Sequence, residues 1–324
     1  MTRRNTAPYS AQPMAAAAEI PAEAPAEAPA HTPAGIPGDA PAEIHSGDQV
    51  LGSWHIAWAQ ANGRHHDRCE DSLDHRGFAL PALGAASNGT DVAGAGSAAS
   101  AGNPGSPGMG LAIALADGVG GGARGDVASR SAVDHCVRDL PAALLTDDDG
   151  LARWLRLAEA RVQLALRQVT FGSGATTLVA AWLGAGGAGW LVHVGDSRAY
   201  PIGRDKAGIA SARALTQDHT FAQLGEAPPE GTRGDDLARM VGANCMGDPL
   251  LLPLRLAAGD LILLCSDGLH RHVPAQQLAA TLLPGVAETP AAGLGSRAQS
   301  LVAQALAAGS HDDVSVLVVQ RLPG

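Results

Sequence analysis

Aspartates stand at the ends of four apolar runs in this 324-residue chain: LAIALADG (Asp117), WLVHVGDSR (Asp196), LILLCSDG (Asp267) and GSHDDVSVLVV (Asp312 and Asp313). A fifth acidic stretch, RCEDSL, sets Glu70 and Asp71 ahead of GFAL. Carboxylates are hard oxygen donors of the kind that Mg²⁺ and Mn²⁺ select. Held at rigid strand ends, they can fix two ions at one separation, lower the pKa of a water between them and clamp an in-line displacement at phosphorus. Singly, each feature is ordinary. An Asp-Gly after a strand is a common turn, Asp196 could pair with Arg198 at the surface, Asp312-Asp313 could cap the last strand, and Glu70 and Asp71 could lie on a solvated face. Five together, among few other charges near strands, favour a shared metal site.

The stretch LADGVGGGARG (115–125) then gives up its side chains directly after Asp117. Glycine clusters cost conformational entropy and mark turns or close approaches of backbone to a ligand. Gly120, Gly122 and Gly125 spell G-x-G-x-x-G between a strand and a helix, which a dinucleotide site would use to seat a pyrophosphate on the helix N-terminus. That reading leaves Asp117 without a task, and hairpins rather than strand–helix–strand units surround it. A Walker loop is excluded, since no G-K-[ST] occurs.

Composition narrows the field. The net charge of −10 argues against a nucleic-acid partner, which needs a basic stripe. No run approaches the roughly 18 uncharged apolar residues of a membrane span. The start MTRRNTAPYSAQPMAAAAEI lacks the apolar core of a secretory signal. Cys69, Cys136, Cys245 and Cys265 show no C-x-x-C spacing, which fits a reducing, cytoplasmic setting better than a zinc knot or disulfide framework.

Residues 1–46 repeat Pro, Ala and Glu without apolar periodicity and are expected to be a disordered tail, leaving one domain over 47–324. The Gly/Ser/Ala-rich stretch 83–110 is expected to be a long hairpin loop between the strands GFAL and LAIALA. GDVASRSAVDHCVRDL reads as a helix, as does the stretch from Leu151 to Val169, whose apolar residues recur at helical spacing. TTLVAAWL and WLVHVGDSRAYPI read as strands joined by a glycine turn, and DLILLCSDG and VSVLVVQ as further strands. PAQQLAATLL and SRAQSLVAQALAAG supply two more helices. Strands in hairpin order and helices in groups predict an α+β fold with antiparallel sheets.

In order and spacing, RCEDSL, LADGVGGGARGDVAS, GSGATTLVAAWL, VHVGDSRAY, LTQDHT, GDLILLCSDGL and HDDVSVLVV resemble the metal-dependent serine/threonine protein phosphatases of the 2C type, bacterial branch. The resemblance covers about residues 52–322. It implies two stacked antiparallel β-sheets flanked by antiparallel helices in four αββα layers. It also implies hydrolysis of phosphoserine and phosphothreonine on proteins, with phosphoproteins and an opposing serine/threonine kinase as partners, and a monomeric protein. The alternative that it leaves open is a pseudophosphatase that binds or senses phosphoproteins.

Carried over by position, Asp117 resembles the carboxylate bridging two Mn²⁺ or Mg²⁺ ions, and Gly118 lends its carbonyl. Asp267 and Asp312 resemble the other direct ligands, and Glu70 and Asp71 the acidic pair that ligates directly or through water. Asp196 resembles the residue that, with Asp267, holds a third, weaker ion. The chain departs from the pattern at Cys69 and Asp313, each in place of an asparagine. His66 stands in place of the phosphate-contacting arginine, and Val119 where some relatives carry a histidine acid. Arg64, His66 and Arg68 alternate in GRHHDRCED, so an extended segment would turn all three to one face, with Arg68 as the first candidate for the phosphate anchor. Phe221 to Pro249, where periodicity breaks, is expected to form a flap shaping substrate choice and organised by His219. His135 and His193 are expected to pack in the core, and His270 and His272 to be solvated.

Overall fold

A computed structural model gives the architecture of residues 42–64, 68–79, 108–119, 124–139, 148–169, 174–204, 207–242, 244–283 and 293–323. Most of the tail, most of the 83–110 loop, His66, Gly120 and Gly122 lie outside these described residues. Along the chain come strands β1 (Ile44–Leu51), β2 (Trp54–Ala61), β3 (Ser72–Ala79) and β4 (Met109–Ala116), followed by helices α1 (Gly125–Arg138) and α2 (Asp148–Val169). Strands β5 (Leu178–Leu183), β6 (Ala188–Val194), β7 (Arg198–Arg204) and β8 (Ala210–Ala212) lead to the short helix α3 (Phe221–Leu224). Strands β9 (Leu250–Arg255) and β10 (Leu261–Cys265), helices α4 (Asp267–His270), α5 (Ala275–Leu282) and α6 (Leu294–Ala307), and strand β11 (Val314–Arg321) complete the order.

The strands form two sheets, β1-β2-β11-β10-β7-β8 and β3-β4-β5-β6-β9. Every pairing is antiparallel, which removes the parallel sheet that a dinucleotide fold requires. The run LAIALA shows how the layers stack. In β4, Leu111, Ile113 and Leu115 point into the space between the sheets, where they meet Ile56, Ile262, Leu264 and Leu317. Their neighbours Ala112, Ala114 and Ala116 face the other way, against Ala128, Ala132 and Cys136 of α1. Both faces are buried, so no polar alternation is visible in the sequence. Alanine on the outer face lets the helix lie close, while branched side chains fill the gap between sheets. Across the other sheet, Ala57, Ala59 and Val316 pack on Leu278, Leu301 and Val302 of α5 and α6. The result is the αββα layering expected.

Several expectations shift in detail. Strand β1 begins at Ile44, inside the segment assigned to the tail, and pairs along its length with β2. As an outermost strand it is only partly buried, so no apolar pattern marks it in the sequence. WLVHVGDSRAYPI is two strands in different sheets: β6 ends at Val194 and β7 begins at Arg198 after the chain crosses over. Gly195 makes this turn with φ +103°, where an added Cβ would lie 2.7 Å from the Thr177 side chain. Strand β9 went unread in LLLPLR; it closes one sheet as an edge, the place where its Pro253 costs no ladder bond. Of the described residues, no helix is long and apolar enough to cross a membrane.

His193 is fully buried on β6, its ring 4.7 Å from that of His219. Burial, reinforced by His219, pushes its pKa down to about 3; Arg198 acts in the same sense and Asp218 opposes it. The unfolded chain therefore takes up a proton near pH 6.5 that the folded chain refuses, so stability is complete above pH 6.5 and falls as pH drops toward 3. Reversible unfolding from pH 7.5 to 4.5 should lose less stability in His193→Leu than in wild type, with the gap changing by on the order of 1 kcal/mol per pH unit; parallel curves would contradict this. Removing residues 1–41 should leave the melting temperature unchanged, whereas removal through Leu51 should lower it by several degrees by uncovering β2.

Candidate active site

Asp117 follows the last residue of β4, and its backbone is held on both sides. Its N–H donates to Thr177 Oγ1 at 3.0 Å. Its carbonyl accepts from Thr176 Oγ1 and from the Thr177 N–H, both at 2.8 Å. Sequence reasoning had assigned no role to the two threonines of GSGATT. The next residue explains part of the glycine cluster. A Cβ on Gly118 would stand 2.6 Å from the Gly125 carbonyl carbon and 2.7 Å from the Glu70 oxygen, so three backbones meet where only glycine fits. Helix α1 therefore starts against the acidic pair, with Arg124 in the left-handed region at φ +105° and its side chain paired to Asp126 at 2.9 Å.

The acidic pair is fixed from the far end of the chain. Asp313 accepts the Gly63 N–H on one carboxylate oxygen at 2.6 Å and the Glu70 N–H on the other at 2.5 Å. Ser129 of α1 donates to the Glu70 carbonyl at 2.5 Å. The two N–H donors meet different side-chain oxygens, and at one of these an amide would present its NH₂ instead. This gives a physical reason for an aspartate at 313. It positions the loop, a role not visible in its sequence neighbours.

Asp196 lies in the crossover between β6 and β7, Asp267 opens α4 two residues after β10 ends, and Asp312 stands two residues before β11 begins. Together with Asp117 and Gly118 they line one cavity of about 840 Å³. The flap residues Phe221, Thr232, Arg233, Leu237 and Met240 close its other side. Asp71 lines a neighbouring groove instead, yet its charge is felt at Asp117. His219 ties flap to sheet: its N–H donates to the Gly195 carbonyl at 2.7 Å, and its own carbonyl accepts from Ala238 at 2.8 Å.

Burial and mutual repulsion make these carboxylates reluctant to ionise. Burial first, then Asp71, Asp267, Asp196 and Asp312, raise the pKa of Asp117 well above the usual range. Burial and then Asp313 push Asp71 up to about 8, and burial and then Asp267 push Asp196 up to about 7. Burial also raises Asp267, against the lowering effect of Arg271. Asp267 Oδ1 and both Asp71 side-chain oxygens are buried without a hydrogen-bond partner. Hard oxygen donors that converge, repel and lack protons to accept suit a multivalent cation. Among the described residues, no three such groups close on a single point as a finished ligand cluster. The residues present therefore fit divalent ions by donor type and charge.

Of the groups proposed for phosphate, Arg64 and Arg68 do not border the cavity, and His66 lies outside the described residues. Arg68 is exposed and acts on Asp126; Arg64 is exposed and donates its backbone N–H to His311. Among the described residues the cavity's cations are Arg233, from the flap, and Arg271. Val119 lines it, as the sequence placed it. His270 is not solvated as expected: its Nε2 lies 2.9 Å from the Asp196 carbonyl, and burial pushes its pKa down to about 4. The cause is the tight turn of α4, which folds His270 back under the crossover. Cys69 is held as a thiol, chiefly by burial and then by Asp71 and Asp313, so it is no nucleophile.

The family model described as protein phosphatase 2C matches residues 105–307, more than half of the chain. The serine/threonine protein phosphatase PstP of Mycobacterium tuberculosis is 36% identical over 218 residues, covering 64% of this chain and 39% of PstP. The chain thus matches only about two fifths of that relative's length. The serine/threonine phosphatase Stp of Listeria welshimeri is 31% identical over 227 residues, covering 64% of this chain and 84% of Stp. The crystal structure of the PstP catalytic domain in complex with two manganese ions superposes with a TM-score of 0.56 at 27% identity, over 83% of this chain and 99% of that one. Its sandwich of antiparallel sheets and its run of strand-end aspartates agree with these likenesses, and the chain belongs to the protein phosphatase 2C family.

Proposed function

We propose that this protein hydrolyses phosphoserine and phosphothreonine on proteins with two divalent ions, Mn²⁺ or Mg²⁺, and that its substrates are products of a serine/threonine kinase. The observation that carries this reading is the convergence of Asp117, Gly118, Asp267 and Asp312 on one cavity, where Asp267 Oδ1 is buried without a hydrogen-bond partner. Asp117 would be shared between the ions; Asp267, Asp312, the Gly118 carbonyl, Glu70 and Asp71 would complete their surroundings. Bound there, the ions supply a water of lowered pKa and polarise the phosphoryl oxygens.

The chain's own contribution is placement. Thr176 and Thr177 hold Asp117 from behind, and Asp313 keeps the acidic pair in position, so like charges stay together without a compensating shift of backbone. Val119 has no proton to give, so the proton for the departing serine or threonine oxygen comes from another source in the cavity, such as a water. Phe221, Leu237 and Met240 of the flap cover the cavity and would exclude water around a bound phosphopeptide.

Hydrolysis of p-nitrophenyl phosphate and of a phosphothreonine peptide should require Mn²⁺ or Mg²⁺ and stop with EDTA; hydrolysis undiminished by EDTA would overturn the reading. Asp117→Asn should lose on the order of 4 kcal/mol of transition-state stabilisation, roughly a thousandfold in kcat, while melting close to the wild-type temperature. Because Arg233 borders the cavity and Arg68 does not, Arg233→Ala should raise KM for the phosphopeptide several-fold with kcat little changed, and Arg68→Ala should leave KM unaltered. The reverse pattern would return the phosphate contact to Arg68.

A further inference from the structure

Asp196 and Asp267 are the carboxylates expected to share a third cation, and the structure shows what lies between them. Arg271 Nη2 stands 2.9 Å from Asp196 Oδ2 and 3.0 Å from Asp267 Oδ2. The reason is local. Asp267 opens the single turn of α4, and the Arg271 N–H donates back to the Asp267 carbonyl at 3.0 Å. Residues four apart then share a face, which returns the guanidinium to the mouth of the cavity, where it is about half exposed. On the far side, the Asp196 carbonyl is already engaged by His270 at 2.9 Å. One oxygen of each carboxylate, and the Asp196 backbone oxygen, are therefore taken by groups of the chain itself.

We propose that Arg271 is a built-in counter-ion that takes the place of a third divalent cation between Asp196 and Asp267. Asp196 then serves as the anchor of Arg271 and not as a metal ligand. A third ion would have to displace a guanidinium whose Nη2 meets both carboxylates and whose charge persists at every working pH. Tethered one turn from Asp267, that charge is present at full effective concentration whatever the supply of metal. This corner of the cavity therefore keeps a fixed positive charge, where an exchangeable ion would make the charge depend on metal concentration. The pair takes only Oδ2 of Asp267 and leaves its Oδ1 to the two principal ions.

The proposal rests on the two-ion reading above, and equilibrium dialysis of the EDTA-stripped full-length protein against Mn²⁺ into the millimolar range separates the two. Wild type should saturate at two ions, and Asp196→Ala should also bind two. Arg271→Gln should gain a third ion in the millimolar range, which the Arg271→Gln/Asp196→Ala double variant should lose. Three ions in wild type, or only two in a folded Arg271→Gln, would overturn the counter-ion proposal and leave the phosphatase reading standing. Fewer than two ions in wild type would overturn the two-ion reading and the proposal with it. The wild-type and Asp196→Ala counts decide the matter even if Arg271→Gln fails to fold.

Discussion

Repulsion among buried carboxylates is the constraint around which this sandwich is organised. Asp71, Asp117, Asp196 and Asp267 are each driven toward the protonated form by burial, and for three of them a neighbouring carboxylate is the next strongest cause. A flexible chain would relieve that strain by letting them swing into water. Here each is delivered by a strand end or a sheet crossover, and the strands are locked by the inter-sheet core of Leu111, Ile113, Leu115, Val179, Leu264 and Leu317. Hydrophobic burial in the sandwich thus offsets an electrostatic cost at its edge. That is the general arrangement of a preorganised site, in which stability elsewhere sustains local unfavourable charge.

Counter-measures surround the cluster at short range. The backbone of Asp117 is clamped by Thr176 and Thr177. The loop of Glu70 and Asp71 hangs from Asp313, at the opposite end of the sequence, through two N–H donors that meet its two carboxylate oxygens. On the other flank, Arg271 meets Asp196 and Asp267, while Arg198 and Asp218 form a two-pronged pair beneath the crossover at 2.7 and 2.6 Å. One side of the cavity is left rich in uncompensated oxygen and the other is neutralised by guanidinium.

The flap adds a second layer of control. Although it has little regular structure, it is stitched to the sheets by an isolated bridge between Thr220 and Leu237 and another between Thr176 and Val241, and internally by Arg239 with Glu226 at 2.5 Å. Thr176 therefore holds both Asp117 and the flap. A group pressing on the flap would act on Asp117 through one residue.

Sequence alone determined the fold class, the helices α1, α2, α5 and α6, the hairpin of β3 with β4, and the strand-end positions of Asp117, Asp267 and Asp312. These follow from local periodicity and from polar residues that end apolar runs, both of which are written in neighbouring positions. Tertiary structure decided what depends on distant partners. Strand β1 is legible only through its pairing with β2, because an edge strand needs no apolar run. The split of WLVHVGDSRAYPI between two sheets follows from the left-handed turn at Gly195. GRHHDRCED proposed an arginine for phosphate from its own alternation, yet the cations that reach the cavity come from the flap and from the turn after SDG. Asp313 shows the same limit: its partners Gly63 and Glu70 stand more than 240 positions away. Hydrogen bonds and ion pairs join atoms by distance in space, and local spacing records them only when both partners share one element.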